Sequence, residues 1–259
     1  MKKLILKIFF LLSIAANVDA GILTHKFETR EFGNIEKTDK DIVILMHGIY
    51  GKLKDLSYIE KKLEENGYSG VSIQYPTTKD DIQTMAKKYI EPEIMKKVEI
   101  LNKINEKREK ENKRKLKINF VVHSMGSVVL RHELQKNILK DLGKVVFISP
   151  PSHGSSIADN FLTEMLNPVL GKAVKQIKTK EDSFVNKLDE PCYECYVMVG
   201  NKTNNPLYSL MIKGNDDGMV PVQSAKLKNC KFKIIDGKSH TSILKSDEVV
   251  QEILKYFGN

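Results

Sequence analysis

Phe120-Val121-Val122-His123-Ser124-Met125-Gly126 is the stretch whose reading decides the fold. An apolar run ends in a serine, and a helical pattern from Val128 to Leu139 follows at once. A strand that turns straight into a helix forces the residue at the turn into a strained conformation. It also exposes that residue's hydroxyl and aims the positive end of the helix dipole at it. Such a turn needs small neighbours. Gly126 supplies one after the serine, but Val122 stands where the G-x-S-x-G pattern has its first glycine, so the formal motif is incomplete. A serine opening a helix also serves as a plain N-cap. The heptapeptide alone leaves a nucleophile and a cap both open.

Working outward, five more short apolar runs recur: Ile42 to Met46, Val71 to Tyr75, Val145 to Ile148, Tyr196 to Val199 and Phe232 to Ile235. With Ile118 to Val122, they read as strands buried on both faces. Helical patterns lie between them, at Leu56 to Leu63, Ile82 to Ile90, Val128 to Leu139 and Ile243 to Phe257. The alternation predicts an α/β fold, a mostly parallel sheet with helices on both faces. Pro92 sits inside a long helical stretch, so the helix from about Asp80 either kinks there or restarts with Pro92 in its first turn. The charged continuation from Lys96 to Lys117 reads as a solvated face. The segment 152–190 is too long for a simple connection. Its Phe161, Leu162, Met165, Leu166, Val169 and Leu170 suggest a small helical cap or lid inserted in one domain spanning 21–259.

The first twenty residues are different. Lys2 and Lys3 precede an apolar Leu4 to Ala16 stretch, and Val18-Asp19-Ala20 offers small residues before Gly21, the pattern of a secretory signal peptide. The expectation is export, to a periplasm or the exterior. An uncleaved anchor is the alternative, although the apolar run is short for a bilayer span and Lys7 interrupts it. Removing residues 1–20 lowers the net charge from +9 to +7. Only four of the 42 basic residues are arginines, which argues against a nucleic-acid partner, because bidentate phosphate and guanine contacts favour arginine. In an oxidising compartment Cys192, Cys195 and Cys230 allow one disulfide and three pairings. Neighbouring parallel strands would bring Cys230 near one of the other two. A redox Cys-x-x-Cys opens a helix, whereas Cys192-Tyr193-Glu194-Cys195 leads into a strand.

Two further loops fall at C-terminal strand ends, the edge where open α/β sheets gather their sites. Asn215-Asp216-Asp217-Gly218-Met219-Val220-Pro221 follows the Tyr196 strand, and Gly237-Lys238-Ser239-His240 follows the Phe232 strand. The order Ser, Asp, His is one in which catalytic triads occur. No H-E-x-x-H, paired Cys/His spacing, G-x-G-x-x-G or Gly-Lys-Ser/Thr loop is present, so neither a metal nor a cofactor is expected.

With His47-Gly48-Ile49-Tyr50-Gly51, the His123-Ser124-Met125-Gly126 turn, Pro150-Pro151-Ser152-His153-Gly154-Ser155, Asp217-Gly218-Met219-Val220 and His240, the chain resembles the α/β-hydrolase superfamily, in its bacterial lipase and esterase branch. The resemblance implies Ser124 as nucleophile, His240 as general base and Asp217 as the orienting carboxylate, with Asp216 as its competitor. It implies an oxyanion hole from the backbone N–H groups of Ile49 and Met125. His47 and His123 are expected to be hydrogen-bonded supports, and His25, His132 and His153 structural or surface residues. The implied activity is hydrolysis of carboxylic esters of lipids or acyl chains, with transient contact with a lipid surface. A thioesterase or acyltransferase using the same triad, or a catalytically dead binding protein on this fold, are the alternatives.

Overall fold

The runs Ile42-Val43-Ile44-Leu45-Met46 and Ile118 to Val122 are rich in β-branched residues and have no polar face, so a strand made from them is stable only with both faces covered. A computed structural model describes residues 26–159, 171–203, 212 and 214–258, and there this is what they form. The strands are β1 (Glu28–Phe32), β2 (Ile42–Met46), β3 (Gly70–Gln74), β4 (Ile118–His123), β5 (Leu142–Ile148), β6 (Cys195–Gly200) and β7 (Lys231–Ile235). They make one sheet in the order β1-β3-β2-β4-β5-β6-β7, parallel except for β1.

The helices are α1 (Ser57–Glu65), α2 (Ile82–Met85), α3 (Glu91–Lys110), α4 (Met125–Lys136), α5 (Ala173–Gln176), α6 (Val222–Ala225) and α7 (Asp247–Gly258). Side chains alternate across the sheet and sort into two cores. Ile42, Ile44 and Met46 pack with α2, α3 and α4, while Val43 and Leu45 pack with α1 and α7. The helix before Pro92 ends in a π turn over Ala86–Ile90, and α3 then starts with Pro92 in its first turn, where a missing N–H costs nothing. The C-terminal pattern is interrupted: a 3-10 turn at Ser242–Lys245 precedes α7.

β1 has no counterpart among the apolar runs. Glu28-Thr29-Arg30-Glu31-Phe32 lies antiparallel on the outer edge of β3 with side chains partly in water, so it needs little apolar content. Arg30 ties it to Glu60 of α1 at 2.9 Å, and Glu31 pairs with Lys97 of α3.

The parallel register brings strand ends level. Met46 lies opposite Val122, His123 opposite Ile148, Ile148 opposite Met198, and Gly200 opposite Ile235. The loops after β2, β4, β6 and β7 therefore leave one edge side by side. At the other end of β6 and β7, Tyr196 pairs with Lys231, which sets Cys195 beside Cys230. These two form the disulfide, 4.6 Å between Cα atoms, and Cys192 is an exposed free thiol.

Of the 152–190 segment, Ala173, Val174, Ile177 and Val185 are buried in the core cluster that α4 also joins. Phe161, Leu162, Met165, Leu166, Val169 and Leu170 lie outside the described residues, as do the first 25 residues, His25 among them. Among the described residues no helix is long and apolar enough to cross a membrane.

The disulfide joins residues 35 apart, a loop whose closure in the unfolded chain is worth about 3–4 kcal/mol. Cys230→Ser is expected to lower unfolding free energy in urea by about that amount. Thiol titration of the denatured, non-reduced wild type is expected to find Cys192 alone, and three reactive thiols would show the bond absent.

Candidate active site

Ser124 occupies the turn between β4 and α4 with φ 52° and ψ −126°, a conformation that a residue with a side chain rarely adopts. Two glycines make room for it. A Cβ on Gly48 would lie 2.7 Å from the Ser124 Cβ, and one on Gly126 would lie 2.6 Å from the His47 carbonyl oxygen. The loop after β2 thus packs directly against the serine and the first turn of α4. Val122, in place of the motif's first glycine, is fully buried in the core and does not prevent the turn.

The serine hydroxyl meets His240. His240 Nε2 is 2.9 Å from Ser124 Oγ, and His240 Nδ1 is 2.8 Å from Asp217 Oδ2. Because the carboxylate only accepts, Nδ1–H donates to it and Nε2 is left to accept from the serine. The other carboxylate oxygen, Oδ1, accepts the N–H groups of Met219 at 3.0 Å and Val220 at 2.8 Å, and the His240 N–H donates to the Asp217 carbonyl at 2.7 Å. Burial pushes the Asp217 carboxyl up, but the His240 ring and the Val220 N–H outweigh it and hold the group below the usual carboxylate range. All three side chains are buried.

Asp216 takes a different part. Its Oδ1 accepts the Gly218 N–H at 2.7 Å, and its backbone bridges Pro221, so it shapes the turn that presents Asp217. The two neighbours are separable only through these contacts.

The other histidines of the site are neutral supports. His123 Nε2–H donates to the His240 carbonyl at 2.9 Å, and burial, with the adjacent His240 ring, lowers its pKa to about 3. His47 donates from Nδ1 to the Gly48 carbonyl at 2.7 Å and accepts the Tyr75 N–H at Nε2; burial lowers its pKa to about 4. The Tyr75 hydroxyl, fully buried, returns a hydrogen bond to the His47 carbonyl at 2.8 Å, and Thr77 Oγ1 takes the Tyr50 N–H at 2.9 Å. Neither Tyr75 nor Thr77 carries a sequence signal for this role. His132 is buried against Phe184, and His153 is exposed.

Ile49 lies in the loop that packs against Ser124, and Met125 follows Ser124 in the chain. Ile49 follows Gly48, and Met125 is the first residue of α4, whose N–H has no partner within the helix. Among the described residues no hydrogen bond uses either N–H. No group of three or more His, Cys, Asp or Glu side chains there is arranged to hold a metal ion.

Residues 36–188 match the family described as "Putative serine esterase (DUF676)". The chain belongs to this family. It is an α/β hydrolase, and the family supports ester hydrolysis. The match takes in the His47 loop and Ser124 but stops before Asp217 and His240, whose place in the site is a matter of geometry. Among solved structures, this esterase-family chain is similar to the mature lipase BlEst2 of Bacillus licheniformis, with 20% identity over 88% of this chain and 97% of that one, TM-score 0.66. It is also similar to phospholipase PlaB of Legionella pneumophila, with 14% identity over 86% and 60%, TM-score 0.62. Est1E of Butyrivibrio proteoclasticus shares 12% identity over 90% and 96%, TM-score 0.51. At such identities the likeness is one of fold. No curated protein sequence matches the chain.

The two neutral histidines make folding stability pH-dependent. In the unfolded chain they take up protons below about pH 6.5, and in the folded protein only near 3 to 4. Their contribution is therefore present above 6.5 and is lost as pH falls toward those folded values. Each steepens the loss by about 1.4 kcal/mol per pH unit between pH 6 and 4.5. Urea melts of His123→Gln across that window are expected to show the slope reduced by one such increment; an unchanged slope would mean that His123 is not held neutral.

Proposed function

We propose that the protein is a serine hydrolase that cleaves carboxylic esters through an acyl-enzyme, with Ser124, His240 and Asp217 as its catalytic residues. The observation that carries this is the unbroken chain from Ser124 Oγ to His240 Nε2 and from His240 Nδ1 to Asp217 Oδ2. A hydroxyl is a poor nucleophile until a base removes its proton, and His240 stands where it receives that proton as Ser124 attacks the ester carbonyl. Asp217 holds the ring in the needed tautomer and stabilises the imidazolium. The N–H groups of Ile49 and Met125 are the donors available for the oxyanion. His240 then protonates the leaving alcohol, and in the second half-reaction it activates the water that releases the acid.

Lipid or acyl esters are the substrates we favour. The catalytic edge supports this by its charge. Lys52, Lys54, Lys79, Lys202 and Lys238 lie on the segments that follow β2, β3, β6 and β7 and form no ion pair with a carboxylate among the described residues. The acids nearby are otherwise engaged: Asp55 accepts the Lys52 N–H, Asp81 caps α2, and Asp236 accepts from Asn201. Such an edge suits transient contact with an anionic lipid surface. The leader-like pattern of residues 1–20 supports export through a membrane.

Hydrolysis of a p-nitrophenyl ester chain-length series tests the reading. Ser124→Ala is expected to lower turnover on the order of a millionfold. Asp217→Asn is expected to lower it by about ten-thousandfold, and Asp216→Asn to keep most of the activity. Equal losses for the two aspartate variants would contradict the assignment of Asp217. Long acyl chains and anionic vesicles raising turnover would support the lipid substrate, and a preference confined to acetate and butyrate would remove it.

A further inference from the structure

Arg131 lies seven residues beyond Ser124 on α4 and is 3% exposed. No carboxylate among the described residues is within ion-pair distance of it. A buried guanidinium without an ion-paired carboxylate is costly, and hydrogen bonds to its donors offset that cost. Here Nη1 and Nη2 meet three backbone carbonyls, while the buried Nε has no partner. Nη1 donates to Ser152 at 3.1 Å, and Nη2 donates to Leu188 at 3.3 Å and to Asp189 at 3.1 Å. These carbonyls belong to the two ends of the 152–190 excursion. One side chain thus fastens both stems to the helix that begins at the nucleophile. Gln135, one turn further on, grips the second stem again, donating to Asp189 Oδ2 at 2.8 Å and accepting the Asp189 N–H at 3.2 Å.

The first stem continues into the stretch that follows Asp217. Ser152 Oγ donates to the Ala225 carbonyl at 3.0 Å, the His153 N–H donates to the Ser224 carbonyl at 3.0 Å, and Ser155 Oγ donates to the Met219 carbonyl at 2.7 Å. Met219 is one of the two residues whose N–H groups hold Asp217 Oδ1. The path runs Arg131, Ser152, Ser155, Met219, Asp217, with a hydrogen bond or a few residues of chain at each step.

We infer that Arg131 is a positioning residue for the catalytic acid, seating the first stem of the excursion so that Ser155 holds the Asp217 turn against His240. This rests on the serine-hydrolase reading above. A guanidinium suits the task because its planar fork reaches carbonyls from two separate segments at once, which a lysine ammonium at that reach does not.

The test compares Arg131→Met, Arg131→Lys, Ser155→Ala and the double variant Arg131→Met/Ser155→Ala on p-nitrophenyl butyrate, with hydrogen–deuterium exchange on the same proteins. Each single variant is expected to lower kcat by about tenfold, with KM changed by less than about twofold, since the acid turn and not substrate contact is disturbed. Arg131→Lys is not expected to restore kcat. The double variant is expected to cost no more than Arg131→Met, because both residues act through one strap. The amides of Met219, Val220 and His240 are expected to exchange faster in both single variants, with β4 and β5 unchanged. Additive losses, an unchanged kcat, or faster exchange spread through β4 and β5 would overturn the inference. Should Arg131→Met not fold, Ser155→Ala decides it. Should wild type cleave no ester, the serine-hydrolase reading fails, and the exchange measurement still decides whether Arg131 and Ser155 hold the turn.

Discussion

The left-handed backbone of Ser124 is a local strain of about 1–3 kcal/mol, and it persists because what surrounds it leaves no alternative. β4 is buried along its whole length in the middle of the sheet, and α4 begins at the next residue, so the chain has no slack in which to relax. The strain determines where the hydroxyl points. It also dictates sequence around it, since Gly48 and Gly126 lie where any side chain would strike the serine or the His47 carbonyl. The parallel register then brings the loops carrying Asp217 and His240 to the same edge. A relaxed turn at Ser124 would leave those loops in place without the hydroxyl they converge on.

Electrostatically the site is spare. Of the four ionisable side chains packed around the serine, Asp217 is held as the buried anion while His47 and His123 are held neutral by burial. A charged His123 beside His240 would oppose the imidazolium of the proposed acyl transfer. Keeping it neutral turns it into a hydrogen-bond donor to the His240 backbone, a support with no competing charge. The acid turn is stiffened on one side by backbone donors to Asp217 and on the other by Ser155, which links the chemistry to the excursion anchored by Arg131.

The sheet was legible because strands buried on both faces must be apolar throughout. Ile42 to Met46 is a strand with those same limits; Phe232 to Ile235 differs by one residue and, lying on the other edge of the sheet, leaves Lys231 and Ile234 exposed instead of being buried on both faces. β1 was not legible, because a strand on the sheet edge with one partner keeps charged side chains in water, and nothing distinguishes Thr29-Arg30-Glu31 from a loop. Ser124 and His240 were singled out by their position after strands, and the fold brings their side chains together. The choice between Asp216 and Asp217 was not, since it depends on which carboxylate the turn presents. Arg131 gave no sign either, as its partners are backbone carbonyls 21 and more residues away, and carbonyls leave no trace in sequence.

The central claim is that Ser124 is the nucleophile activated by His240. It is tested most directly by treating the folded protein with a fluorophosphonate and locating the adduct by peptide mass mapping. The account predicts a single adduct on Ser124, formed rapidly near neutral pH, absent in Ser124→Ala and slowed by orders of magnitude in His240→Ala. An adduct on another residue, or labelling that persists undiminished when either side chain is removed, would contradict it.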